Sequence, residues 1–159
     1  MGEDRLLKSS DRVKVTKNFY LDEFVDYATY MRFLKTGKKH YALRFIRNTM
    51  ITTAQKYRDT FGPCVINNWA YTQNPANIRQ WSGYRSVDSP NYSETSAHSF
   101  GDAIDCVFSK VTAEEARGYI KNNRDAFPFV TRLEKDVKWL HSDGIYTGQY
   151  SIVEFNPPR

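Results

Sequence analysis

The stretch SAHSFGDAID, Ser96 to Asp105, sets an imidazole ahead of a carboxylate, with a glycine between them. Gly101 permits a tight turn or a close backbone approach. Asp105 lies in an apolar run, where a buried carboxylate is costly without a partner and a cation would remove the cost. A second imidazole, His141 in KWLHSD, would share one strand face with Trp139 and Asp143. Two imidazoles and one carboxylate with an open fourth position make a catalytic zinc arrangement, so His98, Asp105 and His141 are the candidate ligands for one Zn2+. Water at such a centre ionises near neutral pH and attacks a carbonyl.

That chemistry also needs a proton carrier. RLEKDVKWLH offers Glu134 and Asp136. Glu134 falls on the strand opposite the one carrying His141, where a tight turn gives it the same face. Asp136 is nearer the turn tip. Glu134 is the preferred general base and acid, with Asp136 as the rival. Arg85 in SGYRS is a candidate carboxylate clamp, because a guanidinium holds a carboxylate in a two-pronged fork. Ser96 could add a hydroxyl, and Tyr84 joins them as a substrate-binding candidate. Asp143 reads as a supporting or turn residue. His40, beside Lys38 and Lys39, is given no role.

The elements that must position these groups can be read from periodicity. LDEFVDYATYMRFL, residues 21–34, has near-helical apolar spacing and ends before Gly37. A second helix is expected over about 40–60, stopped by FGP at 61–63. A short strand, CVIN, follows. Residues 68–97 lack a clear period, and a loop of that length is usually functional. DAIDCVF alternates as a strand. VTAEEARGYIKNNRDAF is a helix with a capping box, Thr112 and Glu115. Residues 128–146 read as a hairpin turning near 135–137, and QYSIVEF as a last strand. The order implies an α+β fold with a small antiparallel sheet flanked by helices. The whole chain, 1–159, reads as one domain, with 1–17 a polar lead-in holding a possible short strand, RVKVT.

Composition narrows the classes. Hydrophobic residues make up 40% and aromatics 15%, so a packed core is expected. Net charge is +5, which draws the chain to polyanions. No long basic run or nucleic-acid motif accompanies that charge, and nucleic acid is not expected as a partner. The opening MGEDRLLKSS has early acids and no apolar segment, so no secretory signal is read there. No stretch approaches a membrane span. Cys64 and Cys106 read as buried free thiols.

Taken together, SGYRS, SAHSFGDAIDC and RLEKDVKWLHSD resemble the zinc peptidases that include D-alanyl-D-alanine carboxypeptidases and phage L-alanyl-D-glutamate endopeptidases. These share a fold with the hedgehog signalling domain. The family pattern SxHxxGxAxD is matched by Ser96, His98, Gly101, Ala103 and Asp105, and its downstream tryptophan and histidine by Trp139 and His141. The likeness runs from about Phe19 to the C-terminus. It implies zinc on His98, Asp105 and His141, Arg85 on the substrate's carboxylate, and peptidoglycan stem peptide as substrate. Many members carry the catalytic acid three residues before the last histidine. Lys138 stands there in this chain, which leaves Glu134 and Asp136 as alternatives. The implied protein is a phage lysin held in the host cytoplasm until lysis, or a virion component with virion proteins as partners. The other reading is a catalytically impaired zinc module that grips the cell wall or builds the virion.

Overall fold

The computed structural model describes residues 6–157. Its sheet has five strands: β1 (Cys64–Val65), β2 (Ala103–Phe108), β3 (Arg132–Glu134), β4 (Leu140–Asp143) and β5 (Val153–Phe155). They are ordered β1-β2-β4-β3-β5. Three α-helices, α1 (Tyr27–Lys35), α2 (Asn48–Phe61) and α3 (Ala113–Asn122), complete the α+β architecture with several 3-10 turns. The expected antiparallel sheet is a mixed one, because β5 runs parallel to β3. A tight hairpin from β4 would have made it antiparallel to β4. The chain instead passes through residues 144–152 and lies against the far edge of β3.

Alternation along each strand separates two faces. Ile104, Cys106, Leu133 and Leu140 point into the core with Met50, Ala54 and Tyr57 of α2 and Ala116 and Ile120 of α3. The intervening residues, Asp105, Glu134 and His141, point the other way, into a cleft. Cys106 is buried and Cys64 half-buried, both as free thiols. The capping box of α3 forms as expected, with Thr112 accepting from the Glu115 amide.

Two expected helices are each interrupted, for the same reason. Residues 21–34 form a 3-10 turn, Leu21–Glu23, and then α1, N-capped by Asp26. Between them the backbone carbonyls are taken by distant groups. Glu23 O accepts from Asn67 N, Phe24 O from Tyr84 N, and Val25 O from the Trp69 indole. Carbonyls engaged in this way do not serve an i to i+4 helical bond. Residues 39–45 likewise form a 3-10 turn, and α2 starts only at Asn48 because Arg47 N donates to Gly101 O at 2.9 Å. Both breaks serve the segment around the two candidate motifs. The expected strand RVKVT is reduced to one bridge, Lys14 to Tyr20, and QYSIVEF pairs only over Val153–Phe155. In the N-terminal lead-in, residues 1–5 lie outside the described residues.

Glu23 makes one pH prediction. Its carboxylate accepts from Tyr20 N at 2.8 Å and is buried. Burial is the main cause of a pKa raised to about 7, only partly offset by the Tyr20 amide. The folded protein then holds a proton that the unfolded chain gives up near the ordinary carboxylate value. Stability is therefore full below that value and falls as pH rises towards 7, by up to about 3 kcal/mol. Glu23→Gln keeps the acceptor and cannot ionise. Urea titrations of the two proteins should converge at pH 4 and separate by pH 8, with the variant more stable. Parallel curves over that range would refute the assignment.

Candidate metal centre and cleft

Sheet register brings the chemistry together. Asp105 of β2 pairs with His141 of β4. Arg132 pairs with Asp143 and Leu133 with Ser142. One further step along this register sets Glu134 opposite His141, and Glu134 itself pairs with Phe155. Asp105, His141, Glu134 and Phe155 thus form one row across four strands, spaced by about one strand separation each. His98 enters from above on the 3-10 turn Ala97–Phe100.

Gly101 explains how the turn delivers His98. It closes the turn in the left-handed region at φ 65°, and a Cβ there would lie 2.0 Å from the Phe45 carbonyl oxygen. Only glycine lets the motif pack against the break before α2. The Ser96 hydroxyl caps the same turn, accepting from His98 N at 3.3 Å.

Three donor atoms converge. His98 Nε2 lies 3.2 Å from His141 Nδ1 and 3.3 Å from Asp105 Oδ1, and the last two are 2.8 Å apart. The edge of a tetrahedron around a metal with ligand bonds of about 2.0–2.1 Å is about 3.3–3.4 Å. Two of the three separations match that edge, and the third is a hydrogen-bond length. The outer nitrogens are committed. His98 Nδ1 donates to Gly83 O at 2.7 Å, which directs Nε2 inward. All three residues are buried, and together they could hold a metal ion.

Electrostatics suit a cation. Burial alone would raise the Asp105 carboxyl, but the charge of His98 and the hydrogen bonds of both imidazoles hold it far below its ordinary range. Burial alone would lower His141, but hydrogen bonds to Asp105 and Asp143 outweigh it and raise the imidazolium to about 9. The cluster thus attracts positive charge at the point where the donors meet. Glu134 is raised, first by burial and further by Asp105, against an opposing pull from His141.

A cleft of about 660 Å³ opens over this centre. Arg85, Ser96, His98, Asp105, Glu134 and His141 all line it. Arg85 is partly committed: Nε donates to Trp81 O at 2.7 Å and Nη2 pairs with Asp105 Oδ2 at 3.1 Å. Two expected site residues stand elsewhere. Tyr84 packs against the Phe45 ring, at 5.0 Å between centroids, because its amide is bonded to Phe24 O on the other side of the loop. Asp136 is exposed at the hairpin tip with φ 61° and is not among the residues lining the cleft.

Several groups at the site escaped the sequence reading. Arg117 of α3 is buried and donates to the carbonyls of Glu134, Trp139 and Val137, so it clamps the hairpin that carries Glu134 and His141. The available signal was an arginine within the apolar stripe Ala113, Ala116 and Ile120. Phe155 sets its ring edge-on to His141 at 5.5 Å. Tyr92, exposed like Trp139, lines the cleft together with that tryptophan, which the strand alternation already places on the His141 face.

The chain matches no family model, no curated protein and no solved structure. No helix of the described residues is long and apolar enough to cross a membrane.

Proposed function

We propose that the protein is a zinc-dependent peptidoglycan peptidase that hydrolyses stem-peptide bonds, with the hedgehog/DD-peptidase fold. The observation that carries this reading is the row in which Glu134 sits beside the three converging donors, inside an open cleft. Two imidazoles and one carboxylate suit zinc and leave a position for substrate or water. Bound zinc supplies a Lewis acid that polarises a carbonyl and makes water nucleophilic at neutral pH.

The chain's own residues do the rest. His98, Asp105 and His141 hold the ion. Glu134, buried and raised, takes the proton from the attacking water and returns it to the leaving amine. Arg85 keeps Asp105 in place and offers its remaining N–H groups to a substrate carboxylate. The aromatic rim of Tyr92 and Trp139 supports peptide or sugar packing. A net charge of +5 favours an anionic wall polymer. A phage lysin, or a lysin carried in the virion, fits this combination.

The test compares metal content and hydrolysis of purified peptidoglycan for wild type, Glu134→Gln and Asp136→Asn. All three should hold one zinc per chain. Cleavage should drop about 10²–10⁴-fold in Glu134→Gln and stay unchanged in Asp136→Asn. Zinc without cleavage by the wild type would instead identify a wall-binding or virion module, the reading that Lys138 favours.

A further inference from the structure

We infer that Asp143 and Arg132 are positioning residues that select which nitrogen of His141 faces the metal. The inference rests on the metal site proposed above and not on hydrolysis. An imidazole can ligate through either ring nitrogen, and the choice is set by the hydrogen bond made by the other. His98 is oriented by a backbone carbonyl, that of Gly83. Among the described residues no backbone carbonyl is bonded to the His141 ring. Its Nε2 instead donates to Asp143 Oδ2 at 3.2 Å, leaving Nδ1 towards His98 and Asp105.

Asp143 is built for that task. It is fully buried, two residues beyond His141 on the same face of β4. Arg132 lies directly across on β3 and grips it with Nε to Oδ1 and Nη2 to Oδ2, both 2.8 Å. Ile145 N donates to Oδ1 at 3.2 Å. These donors fix the carboxylate with Oδ2 turned to Nε2, so the His141 ring cannot turn over without stranding that hydrogen bond. Arg132 in turn stacks on Phe155 at 4.6 Å, and Phe155 abuts His141. Three strands thus lock one ring. Outer groups of this kind typically govern metal affinity by about 10–100-fold.

The experiment measures zinc affinity by competition with a chromophoric chelator, for wild type, Asp143→Ala, Asp143→Asn and Arg132→Gln, together with histidine ¹⁵N spectra of the zinc-loaded wild type. Asp143→Ala should bind zinc about 10–100-fold more weakly, and Asp143→Asn, which keeps an acceptor oxygen, should recover most of that loss. Arg132→Gln should fall between them. The wild-type spectra should show zinc on Nδ1 of His141 and a slowly exchanging Nε2 proton. That readout stands even if a variant fails to fold. Unchanged affinity in a folded Asp143→Ala, or zinc on Nε2, would overturn the inference while leaving the metal site intact. No zinc uptake by the wild type would take both down.

Discussion

His141→Ala is expected to lose zinc on simple desalting, while the wild type retains one ion per chain. The substitution deletes one of three protein donors and leaves His98 and Asp105 as a two-ligand fragment. The loss should exceed the roughly 10–100-fold that an outer group controls. Folding should survive, because Asp105 keeps its ion pair with Arg85 and Asp143 keeps Arg132. A thermal measurement separates binding from folding. Zinc at a hundred times its dissociation constant should stabilise the wild type by about 2.7 kcal/mol, and the variant should gain nothing. An undiminished zinc response in His141→Ala would show that the ion binds elsewhere.

The second large effect is expected at Gly101. Gly101→Ala places a methyl 2.0 Å from the Phe45 carbonyl oxygen and 2.9 Å from Ile46 Cα, both backbone atoms that cannot swing aside. It also forces a side chain into the left-handed region, which alone costs about 1–2 kcal/mol. The total should reach about 4 kcal/mol or prevent folding, the range of severe substitutions. Gly37→Ala provides the control: φ is 70°, and nothing lies within 4 Å of its Cβ. It should lose only about 1 kcal/mol in urea unfolding. Equal losses at the two glycines would mean that the close approach at Phe45 is not essential.

How much of this was legible in the sequence depends on the range of the interaction. Asp105 and His141 were readable because strand alternation fixes their face, and His98 because its spacing to Gly101 and Asp105 is a short local pattern. The placement of Glu134 in the cleft row and of Asp136 at the hairpin tip was also local, following from hairpin parity. What could not be read was anything set by a remote backbone group. The break at Phe24–Asp26 exists because loop residues Asn67, Trp69 and Tyr84 claim its carbonyls. The break at Ile46–Arg47 exists because Gly101 docks there. The packing of Tyr84 on Phe45 has the same origin, since its amide is bonded to Phe24 O. The parallel direction of β5 left no trace in a three-residue strand, so the Phe155 contact with His141 was unforeseen.

The order of the strands also bears on how the protein folds. β4 must insert between β2 and β3, joining Asp105 to His141 across 36 residues, and β5 pairs in parallel only after the chain has crossed back. Such non-local pairings form slowly, because chain closure must be met before the contacts reward it. Until β5 arrives, the outer edge of β3 is an unpaired strand that a second chain could extend. Phe155 therefore packs against His141 at the step that also seals this edge. A chain truncated before Val153 would be left with both its cleft wall and its sheet margin open.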